Sequence, residues 1–233
     1  MGKIVITGAS SEIGQAIART LSGLGKPILL HCNSNASVLR DFDADIVQAD
    51  LSQENELERL VNTLGEVDIL VNAAAVTEIN LLPFLTEEEI EKMVSVNIIA
   101  TTRLCQAVFP GMCSRRSGVI VNISSVTASR VYRGQSVYGG TKAYIEAFTR
   151  GIASEGAKKG VRCNCVAPGG IESGSLKKVV INTGSDILKD SNASGKFGRP
   201  EDVAAAVAYL CSEGGRFVNG STIHVDGGQW VGL

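Results

Sequence analysis

The chain has 233 residues, 44% hydrophobic and 20% charged, with a formal net charge of −2, which suits one soluble α/β domain with a substantial core. Basic residues come only in pairs (Arg115-Arg116, Lys158-Lys159, Lys177-Lys178), too few for a nucleic-acid footprint, and no apolar run is long enough to span a membrane. The opening M-G-K-I-V-I-T-G enters a strand at once and leaves no room for a secretory leader, while Ile6 stands where a myristoylation signal needs Ser or Thr.

Strand-like and helical segments alternate along the chain. K-I-V-I-T (3–7) is a first strand, followed by a helix over about 12–24. P-I-L-L-H-C (27–32) and D-I-V-Q-A-D (45–50) read as strands, and a helix over 52–64 leads to the strand V-D-I-L-V-N (67–72). A long helix from about 86 to 110 precedes G-V-I-V-N-I-S (118–124). The next helix carries Tyr138 and runs to about 158, ahead of the strand V-R-C-N-C-V-A (161–167). A polar, glycine-bearing stretch over roughly 171–197 is expected to order on substrate binding. A helix over 201–212 and the strand S-T-I-H-V-D (221–226) complete the pattern. Strict alternation of β and α implies a doubly wound parallel sheet with helices on both faces, in one domain over residues 1–233.

The six cysteines have no disulfide rhythm and read as reduced, buried thiols of a cytoplasmic protein. Cys163 and Cys165 alternate in one strand and share a face, but no second CxxC or His pair accompanies them, so no metal site is expected. His31 and His224 both fall in strands, and neither a two-His metal motif nor a Ser-His-Asp order can be built from them.

Two stretches carry chemistry. The first βα turn, T-G-A-S-S-E-I-G from Thr7 to Gly14, brings a glycine turn to a helix N-terminus, where amides and a positive dipole end suit a pyrophosphate. Gly8 permits the tight turn, Ser10 and Ser11 can donate to phosphate, and Gly14 allows close packing of helix on strand. The second stretch is Ser125 to Lys142. Tyr138 and Lys142 lie one helical turn apart on one face. A nearby ammonium favours the phenolate and so lowers a phenol pKa of about 10 toward the range of proton transfer near neutrality. Ser125 ends an apolar strand, where open α/β sheets place their ligands. After the second strand, an acidic residue would chelate a ribose diol and favour NAD; none stands at His31, Cys32, Asn33 or Ser34, which favours NADP, although no arginine appears there and Ser11 is not basic. Asp50 and Leu51 are placed to hold an adenine edge, with helix capping by Asp50 or Ser52 the alternative.

In this order and spacing, these marks resemble the short-chain dehydrogenase/reductase family along nearly the whole chain. The others are D-I-L-V-N-A-A from Asp68, Asn97, N-C-V-A-P-G from Asn164 and V-D-G-G from Val225. R-G-Q-S-V-Y around Tyr138 and G-R-P-E-D-V-A near residue 200 look most like its 3-oxoacyl-(acyl-carrier-protein) reductases. The resemblance implies a Rossmann fold and a nicotinamide cofactor held by residues of the first turn, Ile13 among them. Asn33 and Ser34, Asp50 and Leu51, and Asn72, Ala73 and Ala74 would contact it as well. Pro168, Gly169, Ile171 and Ser173 would lie over the carboxamide. In the implied chemistry Ser125 bonds the substrate oxygen and Tyr138 protonates it. Lys142 holds the ribose and lowers the tyrosine pKa, and Asn97 distorts its helix to seat a water in a proton relay.

Glu12 departs from the family's usual glycine beside the phosphates, Ala73 and Ala75 replace Asn and Gly, and Ser173 replaces Thr. A basic entrance of Arg130, Arg133, Lys177 and Lys178 would suit an acidic acyl carrier protein. The implied activity is NADP-dependent reduction of 3-oxoacyl groups on that carrier. Another small carbonyl or alcohol is the alternative substrate, and a nucleotide-binding regulator without turnover is a different class. The resemblance implies a homotetramer, or a homodimer, since family members usually pack as tetramers through the Tyr138 helix and the C-terminal region; the A-A-A-V-A-Y-L helix and Q-W-V-G-L tail fit that expectation.

Overall fold

Near-continuous apolar runs give this chain central strands buried on both faces, as a parallel sheet requires. The computed structural model describes residues 2–174 and 193–231. Seven parallel strands form one sheet in the order β3-β2-β1-β4-β5-β6-β7. They are β1 (Lys3–Thr7), β2 (Ile28–Cys32), β3 (Asp45–Gln48), β4 (Val67–Asn72), β5 (Gly118–Ile123), β6 (Val161–Pro168) and β7 (Thr222–Val225). The order runs outward from β1 in one direction and from β4 in the other, so the switch point of this doubly wound sheet lies between them.

The helices around it are α1 (Glu12–Ser22), α2 (Glu54–Thr63), α3 (Glu87–Val94), α4 (Thr101–Arg115), α5 (Ser136–Gly156) and α6 (Pro200–Cys211). Strand alternation feeds two cores. Ile4 and Ile6 of β1 face α1 and α6, joining Ile17, Leu21, Val203 and Val207. Val5 between them faces the other way, with Leu60, Leu70, Leu104 and Ile120 under α2, α4 and α5. Each such buried side chain contributes about 1.5–3 kcal/mol. Of the 204–210 segment, Ala204, Val207 and Leu210 belong to the chain's own core, while Tyr209 is exposed.

The long central helix differs from expectation in two ways. It continues past Pro110 to Arg115, because Pro110 is exposed and water can satisfy the carbonyl its missing N–H leaves unpaired. Arg116, in the left-handed region at φ 54°, closes it with an N–H to the Cys113 carbonyl. It is also interrupted: Ser95–Ala100, between α3 and α4, forms a π-helical turn around Asn97.

A polar ladder crosses the second core. Asn72, Asn122 and Cys165 stand in register on β4, β5 and β6. Asn72 Nδ2 donates to Asn122 Oδ1 at 2.8 Å and to Cys105 Sγ on α4 at 3.3 Å. Asn122 Nδ2 donates to Thr149 Oγ1 on α5 at 2.8 Å, and Thr149 Oγ1 lies 3.1 Å from Cys165 Sγ. Among the described residues no helix is long and apolar enough to cross a membrane, and no group of three His, Cys, Asp or Glu could hold a metal.

Candidate active site

The first βα turn is built almost entirely of backbone. Gly8 has φ +65°, and a Cβ there would lie 2.7 Å from the Ala74 Cα and N, so only glycine permits this approach to the end of β4. Thr7 Oγ1 accepts the N–H groups of Ala73 and Ala74 at 3.2 Å each, pinning the two strands together at the switch point. Ser11 caps α1, its Oγ accepting the Gly14 N–H at 3.0 Å. Beneath the turn lies His31, 1% exposed. The Gly8 N–H donates to its Nδ1 at 3.3 Å, which makes Nε2 the protonated nitrogen that donates to the Ala49 carbonyl at 2.9 Å. Burial holds this imidazole below its ordinary pKa, outweighing the Ala49 bond and the charge of Asp50, and so keeps it neutral.

Two cavities open along the carboxyl ends of the strands and share Ser11, Ala73 and Ala75 as walls. The first contains Gly8, Ser10, Asn33, Asp50, Leu51 and Ala74, together with Lys92. Asp50 Oδ1 accepts both the N–H and the hydroxyl of Ser52, at 2.9 and 2.7 Å. Neither residue caps α2, whose N-cap is Gln53. Burial raises the Asp50 pKa, but the Ser52 bonds and the charge of Lys92 outweigh it and hold this carboxyl below the usual carboxylate range.

The second cavity, about 230 Å³, gathers Ile13, Ser125, Tyr138 and Lys142, and Pro168, Gly169, Ile171 and Ser173 line it as well. Lys142 is 3% exposed; its Nζ donates to the Ile123 carbonyl at 2.9 Å and lies 5.7 Å from the Tyr138 ring centroid. Ser125 Oγ donates to Thr127 Oγ1 at 3.1 Å, and Thr127 Oγ1 in turn donates to Gln135 Oε1 at 3.3 Å. Thr127 and Gln135 also line the cavity; Gln135 stands in the R-G-Q-S-V-Y run, but no signal in the sequence assigned either residue a role at the site.

Ser34, Asn72 and Asn97 are not in these walls. Ser34 is exposed, and the Asn72 side chain is turned into the polar ladder. Asn97 is 1% exposed; its Oδ1 accepts the Val76 N–H at 2.8 Å, and its Nδ2 donates to the Val76 carbonyl and to Thr141 Oγ1. Thr141 Oγ1 donates onward to the Tyr138 carbonyl at 2.7 Å, so the π turn is tied to the tyrosine helix. Glu12 is exposed, and its Oε1 accepts the Gly174 N–H at 3.0 Å across the cavity. Arg130 is not a free entrance charge: its Nη1 donates to the Gln229 carbonyl at 2.6 Å. Arg133 is exposed, while Lys177 and Lys178, with most of the 171–197 stretch, lie outside the described residues.

The family model described as enoyl-(acyl carrier protein) reductase matches residues 8–229. A 3-oxoacyl-(acyl-carrier-protein) reductase of Vibrio cholerae is 36% identical over 240 residues, covering 99% of this chain and 98% of its own. The chain belongs to the short-chain dehydrogenase/reductase family. The Escherichia coli 3-oxoacyl-(acyl-carrier-protein) reductase is 35% identical over the same length and shares. A solved structure described as a short chain dehydrogenase/reductase family protein superposes with a TM-score of 0.90 at 31% identity, covering 99% of this chain and 97% of that one. As a short-chain dehydrogenase/reductase, the protein is an NAD(P)-dependent oxidoreductase acting on the CH–OH/C=O couple.

Proposed function

We propose that this short-chain dehydrogenase/reductase reduces 3-oxoacyl thioesters on acyl carrier protein to 3-hydroxyacyl thioesters, with NADPH as reductant. The observation that carries the reading is the buried Lys142 ammonium, fixed beside Tyr138 at a cavity that also contains Ser125, in a chain about one-third identical end to end to 3-oxoacyl-(acyl-carrier-protein) reductases. The turn at Gly8 fits a dinucleotide: it approaches β4 with no side chain of its own and opens beside the N-terminus of α1. When bound, the reduced nicotinamide supplies the hydride.

The rest falls to this chain. Rotation of the Ser125 hydroxyl from Thr127 toward the cavity gives the substrate oxygen a donor, and Tyr138 delivers the proton. One Lys142 proton is held by the Ile123 carbonyl, leaving two for ribose hydroxyls. Asn97 acts by holding the π turn against the tyrosine helix, where a water can refill the proton. The absence of a carboxylate at residues 31–34 and the cation Lys92 at the far end of the cleft favour NADPH over NADH. A homotetramer in the cytoplasm agrees with the exposed Ile99 and Trp230 and with six free cysteines.

The test is oxidation of NADPH and NADH, side by side, with acetoacetyl thioester. Tyr138→Phe should cut turnover by roughly 10²–10⁴-fold while nucleotide binding persists. Nucleotide binding without any turnover by the wild type would count against this substrate. Arg133→Glu should weaken use of carrier-bound substrate more than of a small thioester; equal loss on both would remove the carrier from the reading.

A further inference from the structure

Gln229, 4% exposed, reaches into the active-site cavity from the turn that follows β7. Its backbone carbonyl accepts from Arg130, and its side chain is the meeting point of two other cavity elements. The Gly170 N–H donates to Oε1 at 3.0 Å, and Nε2 donates to the Tyr132 Oη at 2.9 Å. The orientation of this amide is forced. A backbone N–H can only donate, so the oxygen must face Gly170 and the nitrogen must face the phenol. Gly169 enforces the approach, since a Cβ there would lie 2.5 Å from the Gln229 Oε1.

The consequence falls on Tyr132. Its phenol oxygen is already an acceptor toward Gln229, so its own proton must take the other in-plane position. Tyr132 lines the same cavity as Ser125 and Tyr138, and among the described residues no acceptor takes that proton. Its ring is held beneath the Arg130 guanidinium at 5.8 Å, and its carbonyl accepts the Gln135 N–H at 3.0 Å. The hydroxyl is therefore a fixed donor with one vacancy, on the wall of the reacting site.

We propose that Tyr132 is a specificity-determining residue that donates to the second carbonyl of a 1,3-dicarbonyl substrate, and that Gln229 is the positioning residue that aims its proton. The assignment rests on the proposed reading, in which Ser125 and Tyr138 take the ketone oxygen. In a 3-oxoacyl thioester the other carbonyl is only one methylene away. Tyr132 is half-buried, and once a bound substrate shields it from water, a donor left without its acceptor disfavours any ketone that lacks that second oxygen.

The experiment uses a matched pair: the acetoacetyl thioester of N-acetylcysteamine, and the S-(3-oxobutyl) thioether, in which a methylene replaces the thioester carbonyl. The quantity read is the ratio of kcat/KM for the two, with NADPH saturating. The wild type should favour the thioester, and Tyr132→Phe should lower the ratio by roughly tenfold, the effect of one hydrogen bond. Gln229→Glu should do the same with the phenol still present. Its carboxylate accepts both the Gly170 N–H and the Tyr132 proton, and so turns the donor away from the substrate. A purely structural role would lower both rates together and leave the ratio alone. An unchanged ratio in Tyr132→Phe overturns the assignment while leaving the reductase reading intact. A wild type that shows no preference for the thioester overturns the reading and the assignment together.

Discussion

Glu12 places a carboxylate at the first residue of α1, beside amides suited to phosphate, and rests it on the Gly174 N–H. Toward the helix dipole that charge is favourable; toward an entering pyrophosphate it is repulsive. Glu12→Gln keeps an acceptor for Gly174 and removes only the charge. It should tighten NADPH by about threefold to tenfold at low salt, with the gain shrinking as salt rises, because an exposed charge acts through screened solvent. Fluorescence titration of NADPH at two ionic strengths reads this; equal affinities for wild type and variant would show that the carboxylate points clear of the phosphates. At this scale the sequence was legible for residues that sit inside short motifs, such as Gly8, Ser125, Tyr138 and Lys142. It was silent on residues whose meaning comes from distant partners. Gln229 meets Arg130 and Tyr132 across separations of 99 and 97 residues, and Glu12 meets Gly174 across 162. Glu12 was visible as an odd residue in a known turn, but not where its carboxylate would rest.

Elements were easier to read than their joints. The strands followed from apolar runs, and α5 followed from the spacing of its apolar and chemical residues. The continuation of α4 past Pro110 depends on that proline facing water, which periodicity near a helix end shows poorly. The π turn had no signal in composition; only the resemblance pointed to Asn97. Three bonds from a side chain that is 1% exposed hold this turn, so Asn97→Ala leaves the Val76 groups and Thr141 without their partner. A loss of about 2–4 kcal/mol in urea unfolding is expected, with turnover falling further than the folded fraction. The first βα turn depends similarly on His31. Its pKa is below the ordinary 6.5, so the native state favours the neutral ring. This contribution is complete above about pH 6.5 and is lost as pH falls through the lower pKa of the folded protein. Melting temperature and NADPH affinity should therefore both decline below pH 6.5, and less steeply in His31→Gln. Parallel declines in the two proteins would place the acid sensitivity elsewhere.

At the scale of the whole molecule, the reversal of strand order between β1 and β4 opens one cleft, and the two halves of the chain furnish its two ends. The amino-terminal strands bring the first βα turn, Asn33 and Asp50; β5, α5 and the segment after β6 bring Ser125, Tyr138, Lys142 and Ser173. The thiols report on the intactness of the layers around it. Burial pushes Cys105, Cys165 and Cys211 up to about 12 and raises Cys163 and Cys32, whereas Cys113 stands half-buried near the end of α4. Iodoacetamide at pH 8 should modify Cys113 in the native protein and the other five only with denaturant, as peptide mass mapping would show. The ladder through the second core has a consequence of a different kind. Greasy surfaces resist being pulled apart yet slide over one another at little cost, whereas a hydrogen bond has a single seat. Thr149 on Asn122 therefore works as a detent, indexing the helix that carries Tyr138 and Lys142 against the strand that leads into Ser125. Filling these positions with well-packed leucines would keep the fold and free the helix to slip, so heat resistance and catalysis would part company in the same molecule.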